Sequence, residues 1–184
     1  MRHESNDHRR LTVSDIKFEP DRKFLSLLLL TSLIVITSSK LSADQELAAS
    51  EVSLQAFATR YAAAWSSQDP QRLALHYAED GMLQVNGGKP ALGRAAIEAK
   101  ASSFMEAFPD MVVSLESVEP GDGTAIFRWL WTGTNTGPGG TGRAVRLRGY
   151  EEWTFDQEGL IRISRGHYDE AEYQRQVEGV ESVH

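Results

Sequence analysis

At Met111 the hydrophobic pattern of the chain changes period, from that of helices to the two-residue alternation of strands that runs on to Tyr168. Apolar and polar residues alternate over Met111–Glu119, Thr124–Gly133, Ala144–Phe155 and Leu160–Tyr168, and a period of two sends successive side chains to opposite faces of a sheet. The connections "PGDG", "TNTGPGGTG" and "DQEG" are rich in residues that accept positive φ or fix a turn. Strands joined this closely run antiparallel.

Before Met111 the period is helical. Leu54, Phe57, Tyr61, Ala64 and Trp65 recur at spacings of three and four and predict an amphipathic helix over Glu51–Gln68. Asp69 and Pro70 supply an N-cap and a first-turn proline for a short second helix through "QRLALHYAED". A strand follows at Met82–Val85, closed by Asn86-Gly87-Gly88, and a third helix at Arg94–Ala107 is stopped by Pro109. The expected class is α+β, with three helices in the N-terminal half packed against one face of a curved mixed or antiparallel sheet. A last helical turn is expected after Glu170.

Residues 1–43 read as a leader. Its 13-residue apolar core, residues 24–36, follows Arg22-Lys23 and precedes small residues, as in a secretory signal. A stable span needs about 20 apolar residues, so export is expected, with an uncleaved membrane anchor as the alternative. Residues 44–51 form a linker, 52–173 one domain, and 174–184 an acidic tail. Beyond residue 43 the chain holds 12 basic and 21 acidic residues, a net charge of −9. So acidic a domain is poorly suited to nucleic acid or an anionic membrane surface. The absence of cysteine excludes disulfides, thiolate metal sites and a cysteine nucleophile.

Several chemistries find no support. "GTNTGPGGTGR" lies between strands, whereas a phosphate cradle runs into a helix N-terminus; a long flexible hairpin is expected instead. After the leader the histidines are His76, His167 and His184, without the spacing of a metal site. No Gly-x-Ser-x-Gly elbow occurs.

What remains is acid/base chemistry. Glu151 shares strand parity with Val145, Leu147, Trp153 and Phe155, and a carboxyl among apolar side chains has its pKa raised by desolvation. The alternative is a strand-edge acid reaching water. His167 and Asp169, expected on the face of Ile161 and Ile163, pair an imidazole with a carboxylate; a solvated strand end is the competing reading. Tyr61 lies on the apolar face of the first helix, suited to packing with its hydroxyl at the rim. Phe127, Trp129 and Trp131 alternate along one strand as an aromatic wall, either core or pocket lining, and Trp153 and Phe108 are further candidates for the pocket.

The segments "AFPD" at 107–110, "WTGTNTG" at 131–137, "GTGR" at 140–143 and "EGLI" at 158–161, followed by Asp169, together resemble the SnoaL-like polyketide cyclases of the nuclear-transport-factor-2-like superfamily. The resemblance implies a cone-shaped α+β barrel with an open apolar cavity and a homodimer packed through the sheet. It also implies cofactor-free aldol chemistry with Asp169 as the acid/base residue. The cyclases' histidine on the preceding strand has no counterpart here.

"RYAAAWSSQDPQRLALHYAEDGMLQV" resembles the opening of the ketosteroid isomerases of the same superfamily. Tyr61 falls on their oxyanion-hole tyrosine, Glu151 on the protonated acid beside it, and Val85 on their catalytic base. Similarity to the limonene-epoxide-hydrolase-like enzymes would ask Asp169, Glu151 and Arg148 or Arg165 to activate water. The expectation is an exported isomerase, cyclase or lyase acting on a small hydrophobic carbonyl compound, with Asp169, His167, Glu151 and Tyr61 as site residues. A non-catalytic ligand-binding module, an epoxide-hydrolase-like enzyme and a pure assembly domain are the alternatives.

Overall fold

The computed structural model describes residues 40, 45 and 50–179. The chain divides after Leu47 into two units, and the second carries the elements described below. The apolar run 24–36, its expected cleavage region and residues 180–184 lie outside the described residues. No helix among the described residues is long and apolar enough to cross a membrane.

Helix α1 covers residues 50–65, and its predicted apolar stripe is the face that packs: Ala58, Tyr61, Ala64 and Trp65 are buried against the sheet. Gln68 takes a left-handed φ of 58° to turn the chain. The Asp69 carboxylate then accepts from the Arg72 N–H at 3.0 Å and starts α2, Pro70–Ala74.

The second helix stops sooner than the pattern predicts. His76 and Tyr77 are already drawn into the sheet, because the Ile161 N–H donates to the His76 carbonyl at 2.9 Å and the Arg94 guanidinium to the Tyr77 carbonyl at 2.8 Å. Strand β1 therefore runs Tyr77–Val85, longer than expected, and pairs with a two-residue β2, Ala91–Leu92, that the alternation does not reveal. Helix α3, Arg94–Ala107, buries Ile97, Ala101 and Met105.

Strands β3 (Val112–Pro120), β4 (Thr124–Thr134), β5 (Ala144–Phe155) and β6 (Ile161–Tyr168) follow the alternation closely. The sheet order is β2-β1-β6-β5-β4-β3, with β1 and β6 parallel and every other pair antiparallel. The sheet is curved and unclosed, and with α1 to α4 of the described residues, α4 being Glu170–Glu178, it makes a mixed α+β arrangement.

The glycine-rich connection is fastened where a flexible hairpin was expected. Asp110 accepts from both the N–H and the hydroxyl of Thr134, at 2.6 and 2.7 Å. Asn135 donates to the Ala107 carbonyl and accepts from the Thr141 N–H. Gly137 passes so close to α3 that a Cβ would overlap the Glu106 carbonyl. "AFPD" and "WTGTNTG" thus clamp the end of α3 to the end of β4.

Chain expected as one helical turn and a tail instead forms α4, Glu170–Glu178. Pairing of β5 with β6 begins only at Gly149, so the start of β5 has an open edge. Gln176 covers it, accepting from the Arg146 N–H at 2.6 Å and donating to the Arg146 carbonyl at 3.1 Å. Tyr173 of the same helix stacks on Trp131 with ring centroids 6.0 Å apart.

Gly149 sits under the Trp129 ring, and a Cβ there would overlap that ring and the His167 carbonyl. Gly149→Ala is expected to destabilise the domain by about 1–3 kcal/mol, the usual cost of overpacking a tight core. Equilibrium unfolding in urea would measure it.

Candidate functional site

The inner faces of β4, β5 and β6 meet at Glu151. In register it lies between Phe127 on β4 and Gly166 on β6. Trp129 and Trp131 extend the wall on β4, and Leu147 and Trp153 continue the same face of β5. A cavity of about 60 Å³ opens here. Its aromatic wall is Trp65, Phe104, Trp129, Trp131 and Tyr168; Leu83, Val85, Met111 and Val113 complete the apolar lining, and Glu151 and Gly166 form the rest. One water needs about 10–15 Å³ of such space, so the cavity suits a compact molecule displacing roughly four to six waters.

Glu151 is 6% exposed, and its two oxygens have different surroundings. Oε2 accepts from the Ser164 hydroxyl at 2.6 Å, the Tyr61 hydroxyl at 2.8 Å and the Trp153 indole N–H at 2.9 Å. Oε1 has no partner among the described residues. Burial pushes the carboxyl above its ordinary range, and the three donors, which favour the charged form, offset part of that rise. A proton carried by Glu151 therefore belongs on Oε1, since Oε2 is already occupied by donors.

Tyr61 stands behind the acid. Its ring is fully buried and outside the cavity wall, and its hydroxyl, 2.7 Å from that of Tyr77, is used on Glu151. Burial, followed by the nearby Glu151 carboxylate, raises the phenol pKa of both tyrosines, so both keep their protons. The geometry makes Tyr61 a residue that positions Glu151 and departs from the expected direct donor to a ligand. Tyr168, on the wall itself, is also raised by burial and stays neutral.

The expected partnership of His167 and Asp169 at the cavity is not what the fold builds. Ile161 and Ile163 of β6 face the adjacent Phe155 and Thr154 of β5, a register shift that inserts an extra residue. The parity reverses there, so Ser164 and Gly166 turn inward while Arg165 and His167 turn outward. His167 stacks on Tyr150 at 4.7 Å, and its Nε2 lies 3.4 Å from the Glu152 carboxylate on the outer face. Asp169 lies past the strand end, exposed, as the N-cap of α4, accepting from the Glu172 N–H at 2.9 Å. Arg148 is exposed and paired with Glu116 at 2.8 Å, and Arg165 is exposed, so neither joins Glu151 as a water-activating group.

Of the expected lining, Trp129 and Trp131 face the cavity. Phe127 and Trp153 stack on each other at 4.7 Å in the layer behind it, and Phe108 packs edge-on against Trp131 at 4.8 Å. Ser164 was missed because the bulge hides its inward direction. Trp65 and Phe104 were legible only as helix-face residues. Val85 lines the cavity as an apolar side chain. Among the described residues no group of three or more acidic or imidazole side chains is arranged to hold a metal ion.

Comparison with known proteins bears on this arrangement. The profile of the SnoaL-like domain family matches residues 58–163, more than half of the chain. No curated protein matches it. Among solved structures, a hypothetical protein with a ketosteroid isomerase-like fold from Catenulispora acidiphila DSM 44928, in complex with trimethylamine, is 16% identical. It superposes with a TM-score of 0.60 over 66% of this chain and 92% of its own. AclR from Streptomyces galilaeus, assigned as a hydroxylase, is 19% identical with a TM-score of 0.62 over 73% and 86%. A protein from Jannaschia Sp. CCS1 assigned to the SnoaL-like polyketide cyclases is 15% identical, with a TM-score of 0.57 over 64% and 88%. At these identities the likeness is one of fold. With the family profile spanning α1 to β6 and the same fold in all three structures, the chain belongs to the SnoaL-like domain family of the nuclear-transport-factor-2-like superfamily.

Proposed function

We propose that this domain is a cofactor-independent acid/base enzyme of isomerase or cyclase type acting on a compact hydrophobic carbonyl compound, with Glu151 as the proton-transfer residue. One observation carries the reading: a single carboxyl, buried and raised in pKa, projects into a cavity that is otherwise aromatic and aliphatic. A carboxylate whose pKa approaches the working pH is a better base than an ordinary glutamate and a usable acid afterwards.

In the proposed step Glu151 Oε1 takes a proton from the carbon beside the carbonyl. The C–H bond breaks, an O–H bond forms on the carboxyl, and the electron pair moves to the carbonyl oxygen as an enolate. Where a C=C bond adjoins that carbon, the electron pair spreads along a dienolate and return of the proton from Glu151 to its far carbon gives an isomer; where a second carbonyl of the same molecule is in reach, the enolate carbon attacks it, its C=O π bond opens to an alkoxide, and the alkoxide takes the proton back from Glu151 as the ring closes. Export through the segment 24–36 and pairing through the outer sheet face belong to the same reading.

A second reading is favoured by the aromatic walls beside one carboxyl, which also suit a small organic cation; the Catenulispora protein of this fold is a trimethylamine complex. The two readings differ in how binding depends on pH. A cation binds more tightly as pH rises and Glu151 ionises, whereas a neutral carbonyl compound has no charge that draws it to the ionised carboxylate.

Exchange of the α-hydrogens of cyclopentanone into D₂O, followed by NMR, tests the enzyme reading. Glu151→Gln is expected to lower the enzyme-dependent rate by about 10²–10⁴. Exchange by the native protein no faster than in buffer would overturn the proposal. Ser164→Ala removes the shortest donor to the carboxylate and is expected to move the acid limb of the pH–rate profile upward. Loss of rate without that movement would assign Ser164 to packing alone.

Stability should carry the same signature. In the unfolded chain Glu151 titrates near 4.5, its ordinary value, and in the fold it titrates higher. Between the two the folded state binds more protons, so native stability falls as pH rises through that window. Glu151→Gln lacks this titration and is expected to gain on the native protein from pH 4 to pH 8, measured by urea unfolding at each pH.

A further inference from the structure

Behind the cavity wall stands a second layer that the proposed chemistry does not use. Trp131 and Tyr168 are both wall residues, and both pack on Tyr173 of α4. Its ring stacks on Trp131 with centroids 6.0 Å apart and meets Tyr168 edge-on at 5.7 Å. Tyr173 is half-buried and is not itself part of the lining. The other aromatic neighbours of Trp131, Phe104 and Phe108, meet its ring edge-on, at 6.3 and 4.8 Å. Tyr173 is therefore the ring that covers a flat face of Trp131 and fills the space into which it would otherwise retreat.

The helix that carries Tyr173 is fastened along its length. Asp169 caps its start directly after Tyr168, and Gln176 holds both backbone groups of Arg146. At its far end Gly179 takes a left-handed φ of 71° and lies so close to the Arg143 guanidinium that a Cβ there would overlap it. A cation at that end meets the partial negative charge of the free helix carbonyls. Glu172, Tyr173, Gln176 and Val177 form the half-buried face of the helix. The profile of the family ends at residue 163, so Tyr168 and α4 lie beyond the part of the chain that it matches.

We propose that Tyr173 is the size-determining residue of the cavity: by bracing Trp131 and Tyr168 it holds the space to about 60 Å³ and restricts the occupant to a molecule of one small ring. This rests on the proposed function, which makes the cavity the ligand site, and it adds the size class of the carbonyl compound. Removing the Tyr173 ring leaves a void behind the wall, and outward movement of Trp131 and Tyr168 into it transfers that volume to the cavity. Tyr173 acts through the two wall residues and is a positioning residue. Its stacking face carries the effect and its hydroxyl does not.

The test compares binding of cyclopentanone and of α-tetralone, a bicyclic ketone, to the full chain by NMR titration, with Tyr173→Ala and Tyr173→Phe beside the native protein. The native protein is expected to favour cyclopentanone by about tenfold or more, the usual penalty for a ligand too large for an apolar pocket. Tyr173→Ala should remove that preference or reverse it, and Tyr173→Phe, which keeps the stack, should retain it. Gln176→Ala loosens α4 without touching the rings and should shift the preference in the same direction as Tyr173→Ala; it decides the matter if Tyr173→Ala does not fold.

An unchanged preference in Tyr173→Ala would overturn the inference, as would a Tyr173→Phe that behaves like Tyr173→Ala, or native protein that binds α-tetralone as tightly as cyclopentanone. Each of these leaves the acid/base reading standing, because α-hydrogen exchange judges that separately. A size limit that depends on Tyr173, in a protein that binds cyclopentanone without exchanging its α-hydrogens, would support the inference and overturn the acid/base reading alone. Failure of the native protein to bind either ketone would overturn both.

Discussion

The hydrogen bonds that converge on one oxygen of Glu151 organise the inner face of this domain. A buried carboxyl is costly unless its charge or its proton is shared, and here the sharing joins three elements. Tyr61 reaches it from α1, Trp153 from β5 itself and Ser164 from β6. Tyr77 of β1 ties on through Tyr61. Helix, central strands and parallel edge are thus held in one register by polar contacts that a shift of a single residue would break. The aromatic layer of Phe127, Trp153 and Tyr61 encloses this network and keeps water from competing with it.

The same network makes the two oxygens of the carboxyl unequal. With Oε2 saturated by donors, Oε1 is left toward the cavity, and Gly166 directly across the strand pair leaves the space in front of it open. Structural and chemical demands are divided within one side chain, and that division is what lets a fold-stabilising group remain available to a ligand.

The strands from residue 111 to 168 were legible in the sequence because each buries one face and the turns between them are chemically explicit. Glu151 was legible for the same reason, as an acid with the parity of Leu147 and Trp153. What parity could not reveal was its own reversal. The bulge at Ile161–Ile163 is a backbone irregularity without a Gly or Pro to announce it, and it sends Ser164 inward and His167 outward against simple alternation. Asp169 was misplaced by one element: its sequence, Asp-Glu-Ala-Glu, also reads as an N-cap followed by an acidic first turn, and the helix won. Helix α2 fell short for the opposite reason, since sheet hydrogen bonds to His76 and Tyr77 outweighed a helical propensity worth only tenths of a kcal/mol per residue.

Apart from Trp131, the segments that make the family recognisable do not face the cavity. Asp110, Thr134, Asn135 and Gly137 fasten α3 to β4 and the hairpin beyond it, and each is held by a contact that tolerates little substitution. The cavity wall is built instead from side chains whose neighbours require only that they be apolar and of suitable size, such as Val85, Met111 and Phe104. A chain under these constraints can exchange its cavity chemistry while keeping its fastenings. The position of a steroid-isomerase base can therefore hold Val85 here without cost to the fold. By the same logic, Glu151 is the side chain in which the two sets of constraints meet, since it both joins α1, β5 and β6 and lines the cavity.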